Sequence, residues 1–409
     1  MTTDTKQTKT GMSPRPIGRE LSGEFTRQDA AHRGSSPRTL RMCTRCIMDE
    51  SDPEITFDDQ GHCNHCIKYF VRAQSEQFTG IEAEQRLQRL VANIQREGHG
   101  RDYDCVIGVS GGVDSTYVAY RVRQLGLRPL AVHLDNGWNS ELAVDNIKRT
   151  LDCLDIDLHT HVIDWPEFRD LQLSFLKASV PNCEIPTDHA ILALLIQTAR
   201  RYRLRYILTG SNLSTEGIMP SAWGYLNQDL RHLRAIHRRF GTRRLRTLPQ
   251  LSLPGFLTAV LAQGIRYVPI LNMMDYDKCE AKELIHRELG WRDYGGKHYE
   301  SIFTRFFQGY ILPVKFGFDK RRAHLSTMIC SGLISRAQAL REMELDAYGS
   351  ADLNQDREFV IKKFGLTEDE FADLMKQPPK RHAEYPSYAF YFHHFARGKQ
   401  WFKRIATAA

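Results

Sequence analysis

The sequence lacks a long uninterrupted run of apolar residues. The most apolar stretch of its 409 residues, 251–271, is broken by two prolines, two glycines, a glutamine and an arginine, which excludes a membrane-spanning helix there. The start of the chain is polar and mixed in charge, without the apolar core of a signal peptide. We therefore expect a cytoplasmic protein without a transmembrane segment.

Excess charge is scarce outside one segment. The formal net charge is +7, but seven arginines against one acid between residues 229 and 246 contribute +6, which leaves about +1 for the rest. The basic segment contains Arg231, Arg234, Arg238, Arg239, Arg243, Arg244 and Arg246. Apolar residues at Leu230, Leu233 and Ile236 recur at helical spacing beneath the arginines, which predicts a basic amphipathic helix on the surface.

Evidence for a disulfide framework is also missing, because nine cysteines are an odd number in a chain that we expect to be intracellular. Four of them form two C-x2-C pairs separated by 16 residues: Cys43, Cys46, Cys63 and Cys66. Four thiolates at this spacing close a tetrahedral shell, so we predict a structural Zn²⁺ site. It would lie in a zinc-ribbon module over residues 41–70, after a flexible extension over residues 1–40.

Short apolar strands and helices alternate from about residue 100. The predicted strands are 103–109, 129–134, 158–163 and 205–209, and the predicted helices between them are 115–125, 141–154 and 188–202. This alternation predicts an α/β fold with a doubly wound parallel sheet over residues 100–215. Residues 216–409 are predicted to form a mostly helical region that binds substrate or partner.

The segment IGVSGGVDS (107–115) follows the first predicted strand and opens a helix. Glycines beside a helix N-terminus let backbone N–H groups surround an anion, so a polyphosphate is expected here. No Gly-Lys-Ser/Thr follows, which excludes a Walker loop. Gly108, Ser110 and Gly112 also satisfy G-x-S-x-G, the nucleophile elbow of α/β-hydrolases, but only a cysteine module precedes it where that fold has several strands.

The letters SGGVDS resemble the pyrophosphate loop (PP-loop) of the N-type ATP pyrophosphatases, which share the adenine nucleotide alpha-hydrolase (HUP-like) fold. The resemblance implies that ATP is cleaved to AMP and pyrophosphate with Mg²⁺. The residues that it implies for pyrophosphate are Ser110, Gly111, Gly112, Asp114 and Ser115. Those that it implies around the adenosine are Leu134, Asp135, Asn136, Gly210 and Asn212.

Five further segments, 42–66, 180–191, 209–217, 294–326 and 331–340, are together similar to the N-acetyl sugar amidotransferases of bacterial lipopolysaccharide and O-antigen biosynthesis. This resemblance implies that the acetamido oxygen of a nucleotide-linked sugar is adenylated and replaced by ammonia. The chain contains no glutaminase motif, so partner subunits that resemble the glutaminase and cyclase of imidazole glycerol phosphate synthase are implied. The basic segment could dock such a partner or an acidic membrane face.

Polar residues in the matched segments are candidates for catalysis. Asp188 and His189 open a helix beyond Pro186, where a residue either caps the helix or faces the site. A dense cationic and acid-base set follows in the last third of the chain. The candidate catalytic residues are Asp114, Asp188, His189, Lys315, Lys320 and Arg321, with Lys297, His298, Glu300 and Asp319 in the same set.

Two other functions remain open from the sequence. A tRNA thiolation enzyme would combine a four-cysteine module with a pyrophosphate loop, and the arginines would suit RNA. It usually needs further paired cysteines, whereas Cys105, Cys153, Cys183, Cys279 and Cys330 are isolated in sequence, so no nucleic-acid partner is expected. A nucleotide-binding regulator would carry the loop without releasing pyrophosphate.

Overall fold

Five parallel strands form a sheet at the centre of the chain, as a computed structural model shows for residues 40–295 and 300–391. The strands are β1 (Cys105–Gly108), β2 (Pro129–Asp135), β3 (Leu158–Val162), β4 (Tyr206–Thr209) and β5 (Arg266–Pro269). They lie in the order β3-β2-β1-β4-β5, and each pair of neighbours is parallel. The direction in which strands are added therefore reverses at β1.

Helices connect and surround the strands. Before β4 they are α1 (Asn64–Glu76), α2 (Gly80–Gly98), α3 (Val113–Gln124), α4 (Glu141–Leu154), α5 (Trp165–Ala178) and α6 (Ile185–Arg201). After β4 they are α7 (Leu213–Glu216), α8 (Leu230–Phe240), α9 (Leu253–Leu257), α10 (Lys278–Leu289), α11 (Ile302–Phe306), α12 (Lys320–Cys330), α13 (Arg336–Glu344), α14 (Ser350–Phe364) and α15 (Glu368–Lys376). Thr258–Ala262 and Phe307–Phe316 are π-helical, and Ile270–Met273 and His382–Glu384 form single 3₁₀ turns. None of the helices in the described residues is long and apolar enough to cross a membrane.

Both faces of the sheet are covered, because successive side chains of a strand point to opposite sides. Val106 of β1 packs in one apolar cluster with residues of α5 and α6. Cys105 and Ile107 pack in a second cluster with residues of α3, α4 and α10. The predicted doubly wound α/β sheet and the helical C-terminal region are therefore confirmed.

The fifth strand lies in the range for which the sequence predicts mostly helix. Arg266–Pro269 pairs with β4 at the edge of the sheet, and Val268 is the one buried residue of the four. A half-exposed edge strand carries no continuous apolar run, so its sequence gives no strand signal. Helix α5 is likewise absent from the predicted elements, whereas the predicted helices around α3, α4 and α6 lie within a few residues of the observed bounds.

The cysteine module packs directly on the C-terminal helices. The Ile47 backbone N–H donates to Ser326 Oγ on α12 over 3.2 Å, and Arg322 pairs with Asp49 over 3.2 Å. The Arg336 side chain donates to the Cys46 carbonyl over 3.0 Å. The module thus shares its packing with the region that follows the sheet.

Candidate functional site

The loop between β1 and α3 lies where the strand order reverses, the position at which open α/β sheets bind ligands. Gly111 has φ of +80°, and a Cβ there would lie 2.4 Å from the Ala143 carbonyl oxygen, so no other residue fits. The Trp291 indole N–H donates to the Gly111 carbonyl over 2.9 Å. Ser115 Oγ lies 3.2 Å from Ser110 Oγ and closes the loop on itself.

A cleft of about 280 Å³ opens above this loop. Its lining combines the loop, the segment after β4, and residues that follow β5: Ser110, Gly112, Val113, Asp114, Ser115, Gly210, Ser211, Glu216, Lys278, Lys282, Tyr294 and Glu300. Of the residues predicted for nucleotide binding, Ser110, Gly112, Asp114, Ser115 and Gly210 therefore share one cleft. Lys297 and His298 lie outside the described residues.

The other residues predicted for the nucleotide support the edge of the sheet without lining this cleft. Gly111 shapes the loop, and Leu134 is buried in the core. Asp135 accepts the Gly137 backbone N–H over 2.8 Å, and the Asn136 amide donates to Thr187 Oγ1 over 3.0 Å. Asn212 caps α7 by accepting the Thr215 backbone N–H over 2.9 Å.

Two lysines in the cleft and a tyrosine beside it were not identified from the sequence. Lys278 Nζ lies 3.9 Å from a carboxylate oxygen of Asp114, and Lys282 lies one turn further along α10. The Tyr276 hydroxyl donates to the other Asp114 oxygen. Burial, followed by the negative charge of Asp114, raises the pKa of Tyr276, so it stays a neutral donor. The i,i+4 spacing of the lysines, within the region that is predicted to be mostly helical, is the signal that could have identified them.

The cleft is chemically suited to a polyphosphate. Backbone N–H groups of a glycine loop and a helix N-terminus favour anions, and Lys278 in the same lining adds positive charge. Lys282, also in the lining, is paired with Asp293 over 2.8 Å. The carboxylates of Asp114, Glu216 and Glu300 supply the oxygen ligands that Mg²⁺ prefers. A phosphate chain with its cation can therefore be held between α3 and α10.

A second polar cluster lies at the N-terminus of α6. Lys320 Nζ is 3.7 Å from Glu184, and the Gln308 amide donates to the same carboxylate over 3.0 Å. Burial, and to a lesser extent the negative charge of Glu184, raises the pKa of Asp188 to about 7. The positive charge of Lys320 acts in the opposite direction and lowers this pKa. The Asn136–Thr187 bond ties this cluster to the end of β2, at the same edge of the sheet as the cleft.

His189 does not face a ligand site, contrary to its prediction as a catalytic residue. Its side chain is fully buried, Nδ1 lies 2.6 Å from the Asn227 carbonyl oxygen, and Nε2 accepts the Leu251 backbone N–H over 3.2 Å. Both ring nitrogens are thus occupied by backbone groups, and burial lowers the pKa of the imidazole. His189 fixes two loops against α6.

Lys315 and Arg321, also predicted to be catalytic, are engaged away from the cleft. The Lys315 ammonium is buried and donates to the Leu374 carbonyl, and burial lowers its pKa to about 8. The Arg321 guanidinium pairs with Asp319 over 2.8 Å and donates to the Leu345 carbonyl over 2.9 Å. Both side chains hold C-terminal elements together.

The four predicted metal ligands form one buried cluster. The distances between Sγ atoms are 3.8 Å for Cys43–Cys66, 3.7 Å for Cys46–Cys63 and 3.5 Å for Cys63–Cys66. A tetrahedral ion with Zn–S bonds of about 2.3 Å requires about 3.8 Å between sulfurs, so the donor set fits Zn²⁺. His65 bonds to Asp52 over 2.6 Å instead of joining the cluster.

A fifth thiol adjoins this cluster. Cys330, at the end of α12, lies 264 residues from Cys66 in the chain, and its Sγ–H donates to Cys66 Sγ over 3.7 Å. The four ligand sulfurs all lie within 4.8 Å of one another, and Cys330 is not a member of that set. It therefore supports a ligand from outside the metal shell.

The C-terminal part of the chain matches a known family. Residues 300–399 match the family described as "LPS biosynthesis protein WbpG-like, C-terminal domain". The chain is thus similar to LPS biosynthesis proteins. This match confirms the resemblance to surface-polysaccharide proteins that the sequence segments indicate, and it covers α11 to α15. No curated protein matches the chain.

Several solved structures resemble the chain at 16% sequence identity. They include NMN synthetase from Francisella tularensis, and the match covers 53% of this chain and 89% of the synthetase chain with a TM-score of 0.28. The match with NH3-dependent NAD synthetase from Campylobacter jejuni, solved with nitrate, covers 50% of this chain and 84% of that one, with a TM-score of 0.27. The match with a predicted subunit of tRNA methyltransferase from Methanocaldococcus jannaschii covers 44% of this chain and 74% of that one, with a TM-score of 0.25. The strand order β3-β2-β1-β4-β5 by itself defines the fold of this chain.

Proposed function

We propose that the chain is an ATP-dependent amidotransferase of lipopolysaccharide biosynthesis that releases AMP and pyrophosphate. Its substrate would be a nucleotide-linked N-acetyl sugar, and its product the corresponding acetamidino sugar. The observation that carries the proposal is the glycine loop at the strand-order reversal, whose cleft is also lined by Lys278 and Lys282. The match of residues 300–399 to an LPS biosynthesis domain supports the substrate class.

The loop would hold the β- and γ-phosphates of ATP. Gly112 lines the cleft without a side chain, so its backbone would reach the phosphates, and Lys278 would balance the charge that develops on pyrophosphate. Asp114, held by Tyr276 and Lys278, would direct an oxygen to Mg²⁺, with Glu216 and Glu300 as further ligands. The cation would neutralise phosphate charge during the transfer.

Adenylation is the step that makes an amide reactive. The acetamido oxygen would attack the α-phosphorus, the bond from that phosphorus to pyrophosphate would break, and the oxygen would become part of a good leaving group. Ammonia would then add to the imidate carbon, lose a proton, and expel AMP. A partner glutaminase would supply the ammonia.

The cluster at α6 is placed for the acceptor side of this reaction. Asp188 and Lys320 lie at the sheet edge where the nucleotide would end. A carboxyl group with a pKa of about 7 can accept the proton that ammonia loses near neutral pH. We therefore assign the sugar acetamido group to the space between the cleft and this cluster.

The experiment that tests the proposal combines the purified chain with ATP, Mg²⁺, ammonium at alkaline pH and a panel of nucleotide-linked N-acetyl sugars. We expect AMP, pyrophosphate and a sugar product lighter by the difference between O and NH. Formation of ADP, or AMP without a change in any sugar, would contradict the proposal. A tRNA thiolation enzyme would instead modify tRNA when a sulfur donor replaces ammonium.

A further inference from the structure

The basic segment forms a surface on α8 and on the loop after it. We propose that this surface docks an acidic face of the protein that supplies ammonia, an inference that rests on the proposed function. The surface, called here the arginine surface, consists of seven arginines and three neighbouring aromatic residues: Arg231, Arg234, Arg238, Arg239, Arg243, Arg244, Arg246, Tyr388, Phe390 and Tyr391.

The charges of the arginines are not neutralised by ion pairs within the part of the chain that the structure describes. All seven are exposed, and in residues 40–295 and 300–391 none of them forms an ion pair with an acid. Since this segment contributes +6 of the formal +7 charge, the remaining surface is nearly balanced. An acidic partner would therefore be directed to this one face.

The loop that carries three of the seven arginines is held in place by hydrogen bonds from α5. The Glu167 carboxylate on α5 accepts backbone N–H groups of Arg246 over 2.8 Å and Leu248 over 2.8 Å. Asp170, one turn later, accepts those of Thr242 over 2.9 Å and Arg243 over 3.0 Å. These two acids bind the backbone and leave the guanidinium groups to solvent. A preordered loop loses little conformational entropy on binding, which favours a specific protein partner over a diffuse anionic surface.

The composition of the surface also fits a protein interface. The Arg231 guanidinium lies 5.4 Å from the Tyr388 ring centre, and beyond it Phe390 and Tyr391 are 69% and 57% exposed. Arginine and aromatic side chains are the residues enriched at the centres of protein–protein interfaces. Exposed aromatics of this size supply the apolar contact that charge alone lacks.

The location connects the surface to the reaction. Thr247 Oγ1 accepts the backbone N–H of Asp164, the residue that caps α5 directly after β3. The Leu251 backbone bonds to His189 near the start of α6. The loop therefore lies at the carboxyl edge of the sheet, the edge that holds the cleft and the α6 cluster. Ammonia delivered by a docked partner would enter beside the acceptor site.

The test uses the charge-reversal variant R238E/R243E/R244E of the full chain. Among the described residues, no hydrogen bond, ion pair or ring contact is formed by the side chains at these three positions. We measure turnover with ammonium chloride, and separately with glutamine and a glutaminase subunit that supports glutamine-dependent turnover of the unmodified chain. We expect unchanged ammonium-dependent turnover and a loss of glutamine-dependent turnover of roughly 10- to 100-fold at limiting subunit. The variant R89E/R96E/R341E, with the same charge change at exposed positions elsewhere, should behave as the unmodified chain in both assays.

Three results would overturn the proposal. Equal glutamine-dependent turnover in both variants would exclude the surface as the docking site. If R238E/R243E/R244E loses binding to vesicles of phosphatidylcholine and phosphatidylglycerol but keeps its glutamine-dependent turnover, the surface is a membrane face. If it loses binding to RNA and keeps that turnover, the surface is a nucleic-acid face. Absence of ammonium-dependent turnover in the unmodified chain would instead refute the proposed function, which separates the two failures.

Discussion

The cysteine cluster and the phosphate-loop cleft differ in what completes them. The four cysteine side chains have no exposed surface, and backbone N–H groups donate to their sulfurs, such as that of Cys63 to Cys43 over 3.2 Å. The cleft instead is an open space of about 280 Å³ that is lined by loop, lysine and carboxylate groups. A closed shell around a metal contributes to folding, whereas an open set of polar groups contributes to binding. Substitutions in the cysteine cluster should thus unfold the chain, and substitutions in the cleft should slow the reaction.

The largest effect should follow from removing a metal ligand. We expect Cys63→Ala to lose Zn²⁺ and several kcal/mol of stability, because structural zinc in small modules contributes roughly 10 kcal/mol of binding free energy. The effect should extend to α12, which packs on the module. Zinc content and thermal unfolding are the measurements, with the exposed Cys153→Ala as the control. A Cys63→Ala protein that keeps its metal and its Tm would show that the cysteine cluster does not stabilise the fold.

The opposite result is expected in the cleft. Asp114→Ala should abolish turnover, a loss of about 1000-fold or more, since an oriented charged group in a transfer site contributes about 4 kcal/mol. Its zinc content should match that of the unmodified chain, and its Tm should fall much less than in Cys63→Ala, since the change removes the acceptor of one Tyr276 hydrogen bond. AMP release and thermal unfolding are measured on the same preparation. If the Tm falls as far as in Cys63→Ala, the contrast between a folding site and a binding site is wrong.

Lys278→Met sharpens the contrast within the cleft. It removes one cation from the wall opposite the loop and should reduce kcat/KM for ATP about 100-fold, or about 2.7 kcal/mol. Steady-state kinetics with varied ATP measure the effect. Lys376→Met, which removes a solvent-exposed lysine on α15, is the matched control and should leave the kinetics unchanged. Equal kinetics in the two variants would place the phosphates elsewhere.

The smallest effect is expected at the fifth thiol. Cys330→Ala removes the hydrogen bond to Cys66 and should destabilise the chain by about 1 kcal/mol while Zn²⁺ remains bound. Release of the metal to a chelator should be faster than in the unmodified chain. Cys330→Ser keeps a donor at this position and should restore part of the slow release. Complete loss of zinc in Cys330→Ala would make Cys330 a ligand and not a supporting residue.

The predictable parts of the molecule depend on neighbours in sequence. The C-x2-C pairs place thiols at the spacing that a metal requires, and the buried strands β1, β2 and β4 carry apolar runs that a solvent-exposed segment would not retain. The loop at 109–115 combines glycines and a helix start within a few residues. The edge strand β5 has only one buried residue of four, so it carries no apolar run from which a strand could be predicted.

The sequence by itself therefore determined the fold class, the cluster of four cysteines and the glycine loop that opens α3, because each rests on the local spacing of a few residue types. Only the tertiary structure decided which distant side chains meet that loop. Lys278 faces Asp114 across 164 positions, and His189 is occupied by backbone groups of residues 227 and 251. Such pairings arise from how helices pack on the two faces of the sheet, and no pattern along the chain encodes the distance between side chains so far apart.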